Sequence, residues 1–405
     1  MKFTLNVLTL ATLAALASTA KAEVTIDMIG GSEVSFEGLI QADSYWYSDD
    51  RTVLSSDAVD GVDTDFGMRR AEIILKGKGP GMWNWVLGYD ARSDKFLDAN
   101  VQYKFNGETS ITVGQYKQPN SLEELSSTKN NDFISKAMTT NMQGMSRRMG
   151  AKIETQKANW GATASYFGNE ITNNESPSLG SGDGYGLRGY YAPMNSEGSI
   201  LHLGLSYIDM EARTALDQSW ARLRVRPDAD QSNQPLIHTG DIKDADRLKT
   251  TGLEGGFVSG PFKLQAEYMT TTIKRDLTSN FEGDSWYVYG VWNITGETWG
   301  YKGGVFTTGL GNDPAKGMWQ VGVRYDTADL NDGNVNFTNP LAPVVTGVMG
   351  GEESNWTVGV NWYWRSNFKL SANYVMADSS RYNTTAKNFL DDNPDIFEMR
   401  AQFYW

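Results

Sequence analysis

Over long stretches of this chain apolar and polar residues alternate one by one, a period of two that fits only extended β-strands with two unlike faces. From Val34 to Trp46 the even positions carry Val34, Phe36, Gly38, Ile40, Ala42, Ser44 and Trp46, with Ser35, Glu37, Gln41 and Asp43 between them. The pattern returns as Trp83, Trp85, Leu87, Tyr89 and as Leu97, Ala99, Val101, Tyr103, Phe105. Later copies are Trp319, Val321, Val323, Tyr325 and Trp356, Val358, Val360, Trp362, Trp364. Tryptophan or tyrosine stands near the ends of these rows. An amphipathic ring is favoured where headgroups meet hydrocarbon, so the rows read as strands of a membrane barrel with aromatic girdles. A soluble β-sandwich also alternates, but has no need of aromatic ends.

The opening residues fit an exported protein. Lys2, the apolar run from Leu8 to Ala17 and the small-residue site Ala20-Lys21-Ala22 make a secretory leader of residues 1–22. The mature chain is expected to start at Glu23 and form one domain, 23–405. After the leader no apolar stretch reaches the ~18 residues of a spanning helix, which excludes a helical membrane protein. There is no cysteine, so no disulfide framework and no thiolate metal site. Two histidines, His202 and His238, are too few for a typical clustered metal site, and no cofactor or metal is expected. With 49 acidic against 36 basic residues, the formal net charge of −13 argues against nucleic acid as a partner.

Tight connections at Gly79 to Gly81, Asn106 to Glu108, Ser259 to Pro261 and Ser366-Asn367 alternate with long ones, Gln118 to Ser146 and Glu211 to Arg247. Short periplasmic turns and long outer loops give that asymmetry. The strand-like rows number one too many for an even barrel. Assigning Trp299 to Phe306 to a longer periplasmic connection leaves sixteen with consistent up-down parity. The last row, Ile396 to Trp405, ends on an aromatic, resembling the sorting signal of outer-membrane proteins. The fold expected is all-β: a transmembrane antiparallel barrel of sixteen strands, with long loops folded into the lumen and outer-membrane lipid around it.

A barrel of this size encloses water unless loops fold inward, so function lies in the charges those loops bring. In Ser219-Trp220-Ala221-Arg222-Leu223-Arg224-Val225-Arg226-Pro227, arginines occupy every second position of an extended segment and share one face. Three guanidinium forks ~7 Å apart favour passing anions, although a charged edge strand would look the same. The strand Ile111 to Tyr116 runs into Lys117-Gln118-Pro119-Asn120-Ser121, where proline redirects the chain. Lys117 at that bend, with Asn120 and Ser121 as neutral donors, could replace part of an anion's hydration shell. Arg70, Glu72 and Lys76 share an inward row, with Arg69 nearer the loop; a salt-bridge network and anion contact are both open for them. Asp90, inward on the third strand, could fix the ammonium of a lysine beside it or pair with another lumen cation.

The segments Arg69-Arg70-Ala71-Glu72 and Gly114-Gln115-Tyr116-Lys117-Gln118-Pro119, the arginines 222, 224 and 226, and the stretch from Asn355-Trp356-Thr357-Val358-Gly359-Val360-Asn361-Trp362-Tyr363 through Arg400-Ala401-Gln402-Phe403 resemble one family. It is the phosphate-selective porins, the O and P porins, and the resemblance covers about Val34 to Trp405. It implies a homotrimer of sixteen-stranded barrels, an arginine row leading anions inward, and a central site of one lysine and one aspartate. By motif the row is Arg222, Arg224 and Arg226, extended by Arg247. The central lysine is Lys117, with Asp90 the aspartate and Lys129 a further cation of the constriction loop. Where the family carries serines after that lysine, this chain has Asn120 and Ser121, so the donor set differs.

The function expected is passive, selective diffusion of phosphate or another small anion, with no reaction catalysed. A pyrophosphate or polyphosphate porin, or a general anion pore, would use the same cations. An outer-membrane lipid hydrolase would need serine and histidine together on the outer face, and His202 falls in an inward row. An adhesin would keep its long loops outside.

Overall fold

The structure, a computed structural model, describes every residue except 1–23, 30–31, 49, 57–62, 172–181, 216–217, 310–312, 314 and 366. The expected leader and Ser366 therefore lie outside the described residues. The alternating rows form strands β1 (Ser32–Ser48), β2 (Thr64–Lys78), β3 (Trp83–Asp90), β4 (Lys95–Lys104), β5 (Thr109–Lys117), β6 (Arg147–Gln156), β7 (Trp160–Phe167) and β8 (Gly184–Ser196). They continue as β9 (Ser199–Glu211), β10 (Ala245–Ser259), β11 (Phe262–Arg275), β12 (Phe281–Asn293), β13 (Met318–Asn336), β14 (Val344–Trp364), β15 (Phe368–Asn383) and β16 (Asp395–Tyr404). Each is antiparallel to the next, and β16 returns to β1 with Asp43 opposite Arg400, so the sixteen strands close. Two short strands, Val24–Ile29 and Asn388–Asp392, pair antiparallel with the ends of β1 and β15.

Parity sorts the side chains. On β13 and β14, Val323, Trp356 and Val358 are exposed outward, while Arg324, Asp326, Thr357 and Asn361 are buried inward. Stacked Phe262–Trp292 and Trp319–Trp362 ring the wall near the short turns, and Trp286–Tyr325–Trp356 ring it toward the long loops. These are the two girdles of a membrane barrel.

Among the described residues, three connections fold into the lumen and bear on the pore. The loop 118–146 carries α1 (Leu122–Leu125) and α2 (Met138–Gln143), and the loop 212–244 lies over it. Leu223, Val225 and Ile237 of the second loop pack with Met138 and Met142 of the first. The third is the stretch from Trp299 to Phe306. It stays outside the barrel sheet as expected, but forms a hairpin, Gly300–Lys302 with Val305–Thr307, that folds inward. Trp299 and Phe306 are buried with Leu122, Phe133, Ile200, Tyr287 and Tyr289, because apolar rings gain by leaving water. Gly256 on β10 makes room: a Cβ there would lie 2.4 Å from the Phe306 ring. Replacing Gly256 by leucine is expected to cost ~1–3 kcal/mol by overpacking and to push the hairpin toward the open part of the lumen, lowering single-channel conductance.

Candidate functional site

The loop 118–146 is bolted to one side of the barrel. Glu267 on β11 accepts from the amides of Leu122 (2.9 Å) and Glu123 (2.8 Å) and from the Ser121 hydroxyl (3.2 Å). Asp326 on β13 accepts from the Met138 amide at 3.1 Å. The first amides of a helix have no intrahelical partner, so a wall carboxylate satisfies them. Arg324 donates to the Ser135 carbonyl (2.9 Å) and Arg400 to that of Ile134 (2.6 Å). With the loop fixed against β11 to β16, and the hairpin filling part of the remainder, open space is left along β1 to β6.

That space is a cavity of 520 Å³ with Glu72, Lys76, Asp98, Lys117, Arg147 and Lys152 on the wall and Ser127 and Lys129 on the loop side. Lys117 and Arg147 are cross-strand partners at the two ends of the loop. Directly opposed like charges repel, so each needs a counterion. Arg147 binds Asp98 Oδ2 through Nε (3.1 Å) and Nη2 (2.8 Å). Lys117 donates to the carbonyls of Glu124 and Ser126 and stands 3.8 Å from Glu124 Oε1, while Lys136 contacts Oε2 of the same carboxylate. An ammonium has three donors, so fixing two on carbonyls holds the charge in place and leaves one. Lys76 pairs with Glu37 at 2.6 Å, Lys152 with Glu154 at 3.0 Å and Arg70 with Glu72 at 3.0 Å. Lys129 lies 5.1 Å from the Tyr404 ring centre, with no described carboxylate within 4 Å.

Toward the long-loop end, a second space of 240 Å³ is lined by Arg69, Arg224, Arg226 and Asp230. The alternation seen in the sequence holds here: Ala221, Leu223 and Val225 are buried beneath while Arg222, Arg224 and Arg226 are not. Burial, then repulsion from Arg222 and Arg226, lowers the pKa of the Arg224 guanidinium, the mark of cations held close together. Arg222 pairs with Asp241 at 3.4 Å, and Arg226 donates to the Asp230 carbonyl at 3.3 Å. Arg69 binds the Asp230 carboxylate at 2.9 Å. It reaches this space because the β1–β2 register slips between Gln41 and Ala42, leaving Arg69 as the extra residue beside Arg70. A bulge of this kind reverses parity and turns two adjacent residues inward.

The Asp230 link gives a pH prediction. Burial pushes that carboxyl up, but Arg69, with Arg400 beside it, more than reverses this and holds it down to about 2. Its contribution to loop docking is complete above the ordinary carboxyl value of ~3.9 and is lost as pH falls toward about 2. Channel noise and conductance are expected to rise across that window, and Asp230→Asn is expected to show the same rise already at pH 7.

Not every expected residue meets an anion path. Asn120 and Ser121 are buried and committed to the loop: Asn120 accepts from the Met145 amide at 3.2 Å, and the Ser121 oxygen accepts from that of Glu124 at 3.1 Å. Asp90 accepts from the amides of Ala71 (2.9 Å) and Arg92 (3.1 Å) and the Ser93 hydroxyl (2.8 Å), closing the β3–β4 turn rather than meeting Lys117. The aspartate in the cavity of Lys117 is Asp98. Arg247 is turned out of the lumen altogether: it shares the parity of the exposed Leu253 and Phe257 on β10 and binds Asp209 at 2.5 Å on the outer wall. His202 is inward and buried, bonded to Tyr301 of the hairpin at 2.6 Å. Arg147, which sequence reasoning passed over, carried a signal. A cation just before a loop and another just after it must meet when that loop joins neighbouring strands.

A family profile described as phosphate-selective porin O and P matches residues 44–405. The chain belongs to that family. Porin O of Pseudomonas aeruginosa is 27% identical over 373 residues, which cover 83% of this chain and 81% of that one. Among solved structures, the anion-selective porin from Comamonas acidovorans shares the fold at a TM-score of 0.54 and 14% identity, covering 92% of this porin and 100% of that one. OmpT of Vibrio cholerae, solved in a trimer form, matches at 0.55 and 11%, covering 93% and 100%. Barrel, girdles and family together make this an outer-membrane porin, a channel rather than an enzyme.

Proposed function

We propose that this porin conducts small anions, phosphate foremost, by passive diffusion. The observation that carries the reading is the Lys117–Arg147 pair, set side by side on a 520 Å³ cavity where the constriction loop leaves and rejoins the wall. Arg224, Arg226 and Arg69 raise the anion concentration at the mouth, and Arg70 leads past the bulge to the pair. Lys129, Lys76 and Lys152 continue the path toward the short turns. Each wall cation keeps a nearby carboxylate, so an anion binds well enough to enter and weakly enough to leave. A protonated phosphate also offers a donor, and Asp98 beside Arg147 supplies an acceptor that chloride cannot use.

The family profile, the Porin O relative and the anion-selective neighbour support this reading. The low wall of β3 to β7, strands of 8 to 10 residues, and the trimer form of OmpT support a homotrimer packed on that side. Titrating phosphate, then pyrophosphate, against chloride current in a planar bilayer tests the cargo. Phosphate block at lower concentration than pyrophosphate is expected; the reverse order would assign the pore to longer phosphate chains, and no block by either would refute selectivity for phosphate.

A further inference from the structure

Three strands of the outer wall carry a charged cluster facing away from the pore. On β9 the exposed Leu203 and Leu205 mark the outward parity, which Tyr207, Asp209 and Glu211 share. The β9–β10 register is unbroken from Ser199 opposite Ser259 to Glu211 opposite Arg247, so Arg247 and Lys249 face outward with Leu253 and Phe257. One cross-strand row reads Tyr185 on β8, Asp209 on β9 and Lys249 on β10, and Arg247 stands opposite Lys274 on β11.

Asp209 is the centre of this cluster, only 4% exposed. It accepts from Arg247 Nε (2.5 Å), the Tyr185 hydroxyl (3.2 Å) and the Tyr207 hydroxyl (3.3 Å), with Lys249 Nζ at 3.6 Å. Glu211, itself exposed, lies 3.9 Å from Arg247 Nη1. A carboxylate on a lipid-facing wall is costly alone. Here it holds two cations in fixed positions: Nε of Arg247 is committed to Asp209 and Nη1 faces Glu211, which leaves Nη2 and most donors of Lys249 for an anion. Below the cluster the wall is apolar, with Leu187, Leu205, Leu253 and Tyr268 exposed; above it the loops begin. It therefore sits at the headgroup level of the outer leaflet, where basic side chains attract anionic lipid.

We propose that this face is a docking site for the phosphorylated headgroup of an outer-leaflet glycolipid, its phosphate seated between Arg247 and Lys249 with Lys274 alongside. The site depends on the barrel standing in the outer membrane and not on what the pore conducts. Asp209 acts as a positioning residue, and the fork of Arg247 suits phosphate oxygens.

The test uses the full porin in detergent, titrated with diphosphoryl lipid A and with the same lipid dephosphorylated, bound lipid being counted by native mass spectrometry. The parent is expected to bind the diphosphoryl form at least about tenfold more tightly. Arg247→Gln with Lys249→Gln is expected to remove that preference and leave single-channel conductance unchanged. Lys249→Gln alone keeps the Arg247–Asp209 pair and so the local fold, and is expected to lose part of the preference. Asp209→Asn removes a negative charge, so mere attraction would strengthen binding, whereas a positioned site weakens. Equal binding of both lipids, an unaltered preference in the double variant, tighter binding by Asp209→Asn, or a fall in anion conductance that returns Arg247 to the ion path would each overturn the proposal.

Discussion

Replacing Lys117 by glutamate is expected to abolish phosphate block and shift the pore toward cations. The new carboxylate would stand opposite Arg147 and beside Glu124 and Asp98, where it takes Arg147 as its partner and removes both cations from the anion path. A hydrogen bond to a charged group is worth ~1.5–3 kcal/mol, so even Lys117→Gln, which only deletes the charge, is expected to weaken phosphate block by roughly 10- to 100-fold. Concentration-dependent block of chloride current reads both variants, and their circular dichroism should match the parent because the barrel hydrogen bonds are untouched.

Removing the Arg324 side chain is expected to give the largest loss of stability. It is fully buried and joins three parts of the molecule: Asp228 of the loop 212–244 at 2.7 Å, Asp326 of its own strand at 3.5 Å, and the Ser135 carbonyl of the constriction loop at 2.9 Å. Truncation to alanine leaves the carboxylates without their cation, and breaking a buried pair in this way costs ~3–5 kcal/mol. Asp326 also caps α2, so both inward loops loosen together. Earlier thermal unfolding and a larger, noisier open-channel current are expected from Arg324→Ala. Arg324→Lys, which keeps one charge, should fall between.

Strand parity was legible in the residues because a sheet facing lipid on one side must alternate, and it placed Arg70 and Glu72 on an inward row. Lys117 is legible instead from the proline bend that follows its strand, where parity would set it with the exposed Val113, and the arginine row from its own alternation within the long loop. Parity fails where the backbone adds a residue. The slip at Gln41/Ala42 brings Arg69 inward, and another between Leu87 and Tyr89 accompanies the change from Asp90 to Asp98 as the cavity aspartate. Parity also cannot be carried through a loop whose return register is unknown, since one residue's shift turns the strand over. Arg247 therefore looked like the end of the arginine row and stands on the opposite face of the wall. The capping of α1 was beyond local reading for another reason: Glu267 lies 146 positions from the Ser121 it accepts from. Only closure of the barrel brings them together.

The hairpin from Trp299 to Phe306 shows how composition and topology share the outcome. Its short alternating rows look like a strand, but an even barrel has no place for one more. Buried rings then supply the reason it folds inward, and Gly256 supplies the space.

The reversal potential of the reconstituted porin in asymmetric potassium chloride tests the central claim most directly. An anion path through Arg69, Lys117 and Arg147 predicts a potential of the chloride sign, reduced when phosphate is added and lost in Lys117→Glu. A potential of the potassium sign in the parent would contradict it.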